Sequence, residues 1–213
     1  MAYVLGFFAA DGYITLNNRG GEFWSIQITD KKLLESIKKV IDAEHKIGIR
    51  LPRKINESIL YRLQIGSKEM CNDLRKLGFP EKKTKNLAIP NIPDQYFSDF
   101  TRGYFDGDGN VWMGYIHKDR NKKIYNLTIQ TVFTSCSFDF LKQFHLKLND
   151  QGLKGGSLQQ SRTSQGNYSR LKFSVEDSLK LYDFMYNSNI RDFLGLFLNR
   201  KKRIFEKFKK LRS

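Results

Sequence analysis

The chain has 213 residues, and its 37 lysines and arginines outnumber its 22 aspartates and glutamates, giving a formal net charge of +15. A surface with this positive field makes nucleic acid the first partner to consider, while no apolar run approaches the ~20 residues of a membrane-spanning helix. Because the N-terminus lacks a secretory signal and the two cysteines form no CxxC pair, we expect a reduced, intracellular protein, cytoplasmic or organellar and not secreted.

The first half of the chain predicts seven elements in the order αββαββα. An apolar helix ends on Asp-Gly, and the strand that leaves it continues toward Arg19. The period of the apolar residues then predicts a strand, an amphipathic helix, two strands and a closing helix, in the segments FWSIQIT, DKKLLESIKKVI, KIGIRL, LYRLQIG and SKEMCNDLRKLGF.

The second half repeats this order after a second Asp-Gly helix. The corresponding segments are YNLTIQTVF, FDFLKQFHLKL, GSLQQS, YSRLKFS and EDSLKLYDFMY. Three of the chain's four prolines, Pro80, Pro90 and Pro93, lie close together between the halves. We therefore predict an α+β fold with an N-terminal half at 1–90, a linker at 91–97 and a C-terminal half at 98–213, which ends in a basic amphipathic helix.

The repeated motif is an apolar helix with a glycine inside it and an aspartate at its end. Gly6 and Gly103 would let the two helices cross closely, which places Asp11 and Asp108 side by side. A carboxylate at a helix C-terminus faces the negative end of the helix dipole, at a cost of roughly 0.3–1 kcal/mol, and a divalent cation would reverse that cost. An Asp-Gly turn with a left-handed glycine would explain Gly12 and Gly109, but it would not explain aspartate twice.

Other motif interpretations fail on spacing. The stretch DGDGNVWMG begins like an EF-hand loop, but Val111 stands where that loop needs glycine and His117 where it needs glutamate. No GK[ST] follows to complete a phosphate-binding loop. The three histidines form no paired zinc-ligand spacing.

The two segments VLGFFAADG and TRGYFDGDG resemble the nine-residue motif of LAGLIDADG homing endonucleases of the single-chain, two-motif kind. The resemblance extends over the whole chain, since the order of elements and the length of each half also agree. It implies a DNA-binding saddle of antiparallel sheets, formed by two pseudo-symmetric halves, with the two motif helices at the central interface.

The resemblance also implies a catalytic centre. The eighth motif residue is the metal-binding acid, which falls on Asp11 and Asp108, and the backbone carbonyl of the seventh residue, here Ala10 and Gly107, also contributes to the metal site. The family places a lysine near each metal cluster, and the matching segments point to Lys83 and Lys201. The implied cofactor is Mg²⁺ or Mn²⁺.

Alternation along the predicted strands selects side chains that would face DNA. With Ile26 and Ile28 turned inward, Ser25 and Gln27 face outward, and Leu63 and Ile65 leave Arg62 and Gln64 outward in the same way. Glutamine, asparagine and arginine can pair with base edges in the major groove. The full set of predicted DNA-binding residues is Thr15, Asn17, Arg19, Ser25, Gln27, Arg50, Arg53, Arg62, Gln64, Asn126, Thr128, Gln130, Gln160, Arg170 and Lys172.

The expected function is a metal-dependent endonuclease that makes a staggered double-strand break in a long duplex target, as in intron or intein homing. The protein is expected to act as a monomer on double-stranded DNA, without a membrane partner. Two alternatives stay open: an RNA maturase that assists intron splicing, with intron RNA as partner, and a DNA-binding regulator that does not cleave. The basic terminal helix leaves a DNA contact and a solvated face equally open.

Overall fold

Each half of the chain folds into the predicted order of elements. The computed structural model describes residues 1–81, 87–119, 123–163, 166–187 and 195–212. The first half contains α1 (Ala2–Asp11), β1 (Gly12–Leu16), β2 (Glu22–Ile28), α2 (Lys31–Val40), β3 (Gly48–Arg50), β4 (Leu60–Gly66) and α3 (Lys68–Lys76). The second contains α4 (Asp94–Asp108), β5 (Gly109–Asp119), β6 (Ile124–Ser135), α5 (Phe138–Asp150), β7 (Ser157–Thr163), β8 (Gly166–Phe173), α6 (Val175–Tyr186) and α7 (Asn199–Arg212).

The strands form two separate four-stranded antiparallel sheets. The strand order is β1-β2-β4-β3 in the first sheet and β5-β6-β8-β7 in the second, so the two halves share one topology. Each motif helix runs directly into the outer strand of its own sheet, because Gly12 begins β1 and Gly109 begins β5. The predicted α+β fold with αββαββα halves is confirmed.

Local sequence signals explain where several helices begin. The side chains of Asp30, Ser67 and Ser137 accept hydrogen bonds from backbone amides in the first turns of α2, α3 and α5. Such N-caps satisfy amides that the helix itself cannot pair. Among the described residues, no helix combines the length and the apolar character needed to cross a membrane.

The connection between the halves differs in detail from the predicted linker. Helix α4 begins at Asp94, inside the segment 91–97, whereas residues 87–93 have no regular structure. Leu87, Pro90 and Ile92 are buried, so this connection packs against the core. The division into domains itself stays a prediction.

The core is centred on the motif helices. Six of the ten residues of α1 are buried, which is the pattern of a helix enclosed on most sides. In the second half, Tyr104 packs against Phe133, Phe140 and Phe144 with ring centroids 4.8–6.0 Å apart. Both sheets therefore rest on one continuous core, and this core fixes the ends of α1 and α4 relative to each other.

Candidate functional site

Helices α1 and α4 cross through reciprocal glycine contacts. A Cβ atom added to Gly6 would lie 2.0 Å from the carbonyl oxygen of Phe100, and one added to Gly103 would lie 2.0 Å from that of Tyr3. Any larger residue would push the helices apart. The predicted close crossing at these glycines is confirmed.

The crossing brings the two Asp-Gly ends together. Both Asp11 and Asp108 are exposed and are the last residues of their helices. A Cβ on Gly107 would lie 3.4 Å from Oδ2 of Asp11, so the Asp11 carboxylate lies beside the residue that precedes Asp108. The two acids and the carbonyls of Ala10 and Gly107 thus belong to one small region.

The glycines after the aspartates are required for space. Gly12 and Gly109 have φ values of −77° and −84° in the extended region, so the left-handed turn suggested by the sequence is wrong. A Cβ on Gly12 would lie 2.0 Å from the Phe8 ring, and one on Gly109 would lie 2.3 Å from the Phe105 ring. Glycine lets each strand leave its helix directly over a buried aromatic ring.

A buried acid lies beneath the end of α4. Asp106 is 2% exposed, and its Oδ2 accepts hydrogen bonds from the Tyr3 hydroxyl at 2.7 Å and the Leu198 amide at 2.9 Å. Burial raises the pKa of Asp106 to about 6, while the bond from Tyr3 and the charge of Lys201 oppose that increase. Asp106 therefore joins α1, α4 and the segment that leads into α7.

Lys201 caps the C-terminal end of α4. Its Nζ donates to the carbonyls of Phe105, Asp106 and Gly109 at 2.6, 2.8 and 2.5 Å. The residue is 5% exposed, and burial lowers its pKa to about 8, although Asp106, Asp11 and Asp108 act in the opposite direction. Lys201 is thus brought to the predicted centre, where it holds the motif helix, whereas Lys83 lies outside the described residues.

A cavity of about 220 Å³ opens at the helix ends, on the side of the first half. It is lined by Phe7, Asp11, Gln27, Ile28, Thr29, Asp30, Leu33, Leu60, Asp106, Gly107, Leu198 and Arg200. Within the described ranges, no three His, Cys, Asp or Glu side chains lie close enough together to form a metal site by themselves. The available donors are two exposed carboxylates and backbone carbonyls, which are the hard oxygen ligands that suit Mg²⁺ or Mn²⁺ when phosphate and water complete the coordination.

The first sheet places most of its predicted DNA-binding residues on one face. Gln27 is opposite Arg62, and Ser25 lies between Tyr13 and Gln64 in neighbouring strands. Arg62 is exposed, whereas Gln27, Gln64 and Thr15 are partly exposed. The prediction for Ser25 was wrong, because this small side chain is fully buried between larger neighbours and cannot reach DNA.

Two other predictions for the first half concern loops. Strand β1 ends at Leu16, so Asn17 and Arg19 do not continue it as predicted. The Asn17 side chain instead accepts bonds from the amides of Arg19 and Gly21, which closes a turn. Arg50 and Arg53 are exposed, and both bond to Glu57, the first through its guanidinium and the second through its backbone amide.

The second sheet presents Asn126, Thr128 and Gln130 on the same face as Arg170 and Lys172. Asn126 and Gln130 are exposed, and the other three are partly exposed. Gln160, also predicted to bind DNA, is exposed but lies opposite Ser169, on the face of the buried Leu171, so it does not share the face of Arg170. Gln159 is opposite Arg170 and therefore lies on the face of Arg170 and Lys172.

Two residues of the predicted DNA-facing surface were missed by reasoning from the sequence. Alternation from Leu158 would have identified Gln159. Alternation from the buried Val111 would have identified Trp112, which is 48% exposed, lies opposite Gln130 and covers Gly114. The side chain of Arg200 gave no such signal, because only the tertiary structure brings it to the cavity.

The chain is similar to known proteins in both sequence and fold. Residues 1–78 match the family model of a LAGLIDADG-like domain. The meganuclease I-AabMI bound to uncleaved DNA aligns over 98% of this chain and 88% of its own, with a TM-score of 0.61 and 14% identity. The chain has the LAGLIDADG fold. The resemblance read from the two motifs is therefore confirmed.

Other known proteins are also similar to this chain. The homing endonuclease I-SmaMI bound to cleaved DNA aligns over 98% of this chain and 87% of its own, with a TM-score of 0.62 and 13% identity. The same protein is known bound to uncleaved target DNA in the presence of calcium ions. A protein of Thermococcus kodakarensis described as a probable translation initiation factor IF-2 is 28% identical over 186 residues, which are 84% of this chain but only 14% of that protein.

Proposed function

We propose that this protein is a site-specific DNA endonuclease that makes a staggered double-strand break in a long duplex target, by Mg²⁺- or Mn²⁺-dependent phosphodiester hydrolysis. The reciprocal crossing of α1 and α4 is the observation that carries the proposal, since it sets two Asp-Gly helix ends side by side. A duplex has two antiparallel strands, so two related ends provide one acid for each cut. One chain supplies both ends, which supports a monomer, and a nuclease with such a DNA target would act inside the cell.

The residues of the site would have three different roles: binding the cation, positioning a helix end and directing the chain into each sheet. Asp11 and Asp108, with the carbonyls of Ala10 and Gly107, would hold the cation, which supplies an activated water and neutralises the phosphate when bound. Lys201 satisfies the carbonyls at the end of α4 and so fixes the position of Asp108. Gly12 and Gly109 direct each chain from the acid straight into a strand of its sheet.

The two sheets would read the target on both sides of the cut. Arg62 in the first sheet and Arg170 in the second lie on equivalent central strands, each within a row of polar side chains. Arginine pairs with guanine and glutamine with adenine in the major groove. The excess of positive charge supplies the contact with phosphates that does not depend on sequence.

The match to part of a translation factor favours the intein form of homing. The matching segment makes up 14% of that much longer protein. A nuclease encoded inside a host protein would produce this relation, and its target would be the host sequence without the insertion. The uninterrupted flanking sequence is therefore the first substrate to test, alongside targets selected from a randomised duplex library.

The proposal is tested with Asp11→Asn and Asp108→Asn on a supercoiled plasmid that carries the selected target. Each change removes an anionic ligand and keeps the size of the side chain, so we expect target binding to persist while Mg²⁺-dependent cleavage collapses. The matched control is Asp150→Asn, because Asp150 is also an exposed aspartate at the end of a helix but does not line the cavity.

The product pattern carries further information. We expect either substitution to abolish both cuts, because the closely crossed helices place the acids near enough to share an ion. Nicking of opposite strands by the two variants would instead indicate independent metal sites. Wild-type-like linearisation by both variants would remove these aspartates from the mechanism, and specific binding of the wild type without cleavage would identify a regulator.

A further inference from the structure

Arg200 lies at the central cavity although it is not part of either nine-residue motif. It is the second residue of α7, it is exposed, and it lines the central cavity together with Asp11 and Gly107. Among the described residues that line this cavity, it is the only lysine or arginine. A residue of the second half therefore places a positive charge beside the acid of the first half.

The start of α7 is fixed to the end of α4. The Leu198 amide donates to Asp106 at 2.9 Å, and the Lys201 amide donates to the Leu198 carbonyl at 3.0 Å. Three bonds from the Lys201 ammonium to carbonyls at the end of α4 complete the attachment. Arg200 lies between these anchored residues, so its backbone is held in place at the cavity.

Lys201 itself cannot serve as a phosphate ligand in this arrangement. Its ammonium has three N–H donors, and carbonyl oxygens accept a bond at each of three distances below 3 Å. Contact with a phosphate would break at least one of these bonds and leave a buried carbonyl at the helix end without its partner, which is costly. Among the described residues, the guanidinium of the neighbouring Arg200 makes no hydrogen bond to α4, and Arg200 lines the cavity.

We propose that Arg200 is a catalytic residue of the proposed nuclease, whose guanidinium contacts a non-bridging oxygen of the scissile phosphate beside Asp11. The inference rests on the proposed function. In hydrolysis the water oxygen forms a bond to phosphorus while the phosphorus–oxygen bond to the leaving sugar oxygen breaks. One water proton passes to solvent and the leaving oxygen takes up a proton. Arg200 keeps its protons throughout and stabilises the negative charge of the transition state.

The first experiment compares Arg200→Ala with Arg203→Ala. Arg203 is an exposed arginine one turn further along α7 that does not line the cavity, so its removal changes the net charge equally. With each strand of the selected duplex labelled separately, Arg200→Ala should slow the cut on one strand about 100-fold. Arg203→Ala should leave both rates within about twofold of the wild type, as expected for a distant surface charge. Arg200→Lys should recover only part of the rate, because an ammonium keeps the charge but lacks the rigid planar set of donors of the guanidinium.

The second experiment tests the contact itself, without cleavage. Binding is measured in Ca²⁺ to duplexes in which a neutral methylphosphonate replaces the phosphate at one cut site. If Arg200 contacts that phosphate, Arg200→Ala and the methylphosphonate together weaken binding by less than the product of their separate effects. Arg203→Ala should combine multiplicatively with the same substitution. Far-ultraviolet circular dichroism of both variants confirms that each is folded.

The experiments distinguish failure of the role of Arg200 from failure of the proposed function. If the wild type cleaves and Arg200→Ala cleaves as fast as Arg203→Ala, the role of Arg200 is overturned while the proposed function stands. Multiplicative effects of Arg200→Ala and the methylphosphonate at both cut sites would likewise overturn the contact. Failure of the wild type to cleave any selected or flanking-sequence duplex overturns the proposed function, and the catalytic assignment of Arg200 with it.

Discussion

The two halves of the molecule meet through reciprocal contacts, but the side chains beneath the ends of their motif helices differ. Gly6 contacts the Phe100 carbonyl as Gly103 contacts the Tyr3 carbonyl, so the crossing itself is symmetric. The sixth motif position is Ala9 in the first half and the buried Asp106 in the second. Symmetry is kept where the helix backbones touch, and it is lost in the side chains packed directly below.

The polar contacts of this asymmetry are centred on the second half. The Tyr3 hydroxyl of the first half reaches Asp106 of the second, whereas the equivalent pair, Phe100 and Ala9, has no polar atoms in its side chains. Asp106 in turn holds the segment before α7, and α7 brings both Lys201 and Arg200 to the centre. The comparison shows that one half can carry a polar anchor while the shared crossing geometry stays intact.

The largest effect is expected from breaking the symmetric part. Gly6→Ala and Gly103→Ala each force a Cβ against a helix carbonyl at 2.0 Å, so each should lower the free energy of unfolding by about 3 kcal/mol. Urea denaturation measures both losses. Gly48→Ala is the control, because its nearest neighbour would lie at 3.7 Å. A stable variant at only one of the two crossing glycines would show that the contacts are not equivalent.

The asymmetric part should be visible in the pH dependence of stability. Folded Asp106 keeps its proton up to a pH of about 6, whereas the unfolded carboxyl releases it near 3.8, so the folded state binds more protons between these values. Stability therefore falls as the pH rises through this window, and the difference corresponds to about 3 kcal/mol. Asp106→Asn should lack this loss, because an amide does not titrate, and it should still fold, because the amide oxygen can accept the same bonds from Tyr3 and Leu198. Parallel urea profiles of wild type and variant from pH 4 to pH 7 would contradict the perturbed pKa of Asp106.

Base reading should respond separately in the two halves. Arg62→Ala is expected to lose ~1–3 kcal/mol of discrimination at one or two base pairs of one half-site, and Arg170→Ala should do so in the other half-site. Binding to a set of targets with single base-pair changes measures both. Uniform weakening across all positions would identify the arginine concerned as a phosphate contact.

The smallest expected effect tests the register of strand β7 in the second sheet. Gln159 shares a face with Arg170, while Gln160 is opposite Ser169 on the other face. Gln159→Ala should therefore lose about 1 kcal/mol of preference at a single base pair, the scale of one hydrogen bond. Gln160→Ala should leave the preference unchanged on the same set of targets. The reverse result would place β7 one residue out of register.

The sequence by itself determined the order of elements and the paired helix ends, because these depend on local chemistry. The spacing of Leu33, Leu34 and Ile37 predicts the buried face of α2, and the repeated glycines and Asp-Gly ends predict the crossing. The positions of Asp11 and Asp108 follow from the motif. Each of these signals is contained within a few consecutive residues, although the two motifs themselves are far apart in the chain.

Only the tertiary structure decided which side chains are available to the site. Ser25 is buried by residues of two neighbouring strands. The Lys201 ammonium donates hydrogen bonds to carbonyls at the end of a helix that lies far away in the sequence. Arg200 reaches the cavity because Asp106 and Lys201 anchor the start of α7. Such outcomes depend on packing between distant segments. Local alternation or periodicity does not show which distant neighbour will bury a side chain, form a hydrogen bond with it or leave it exposed.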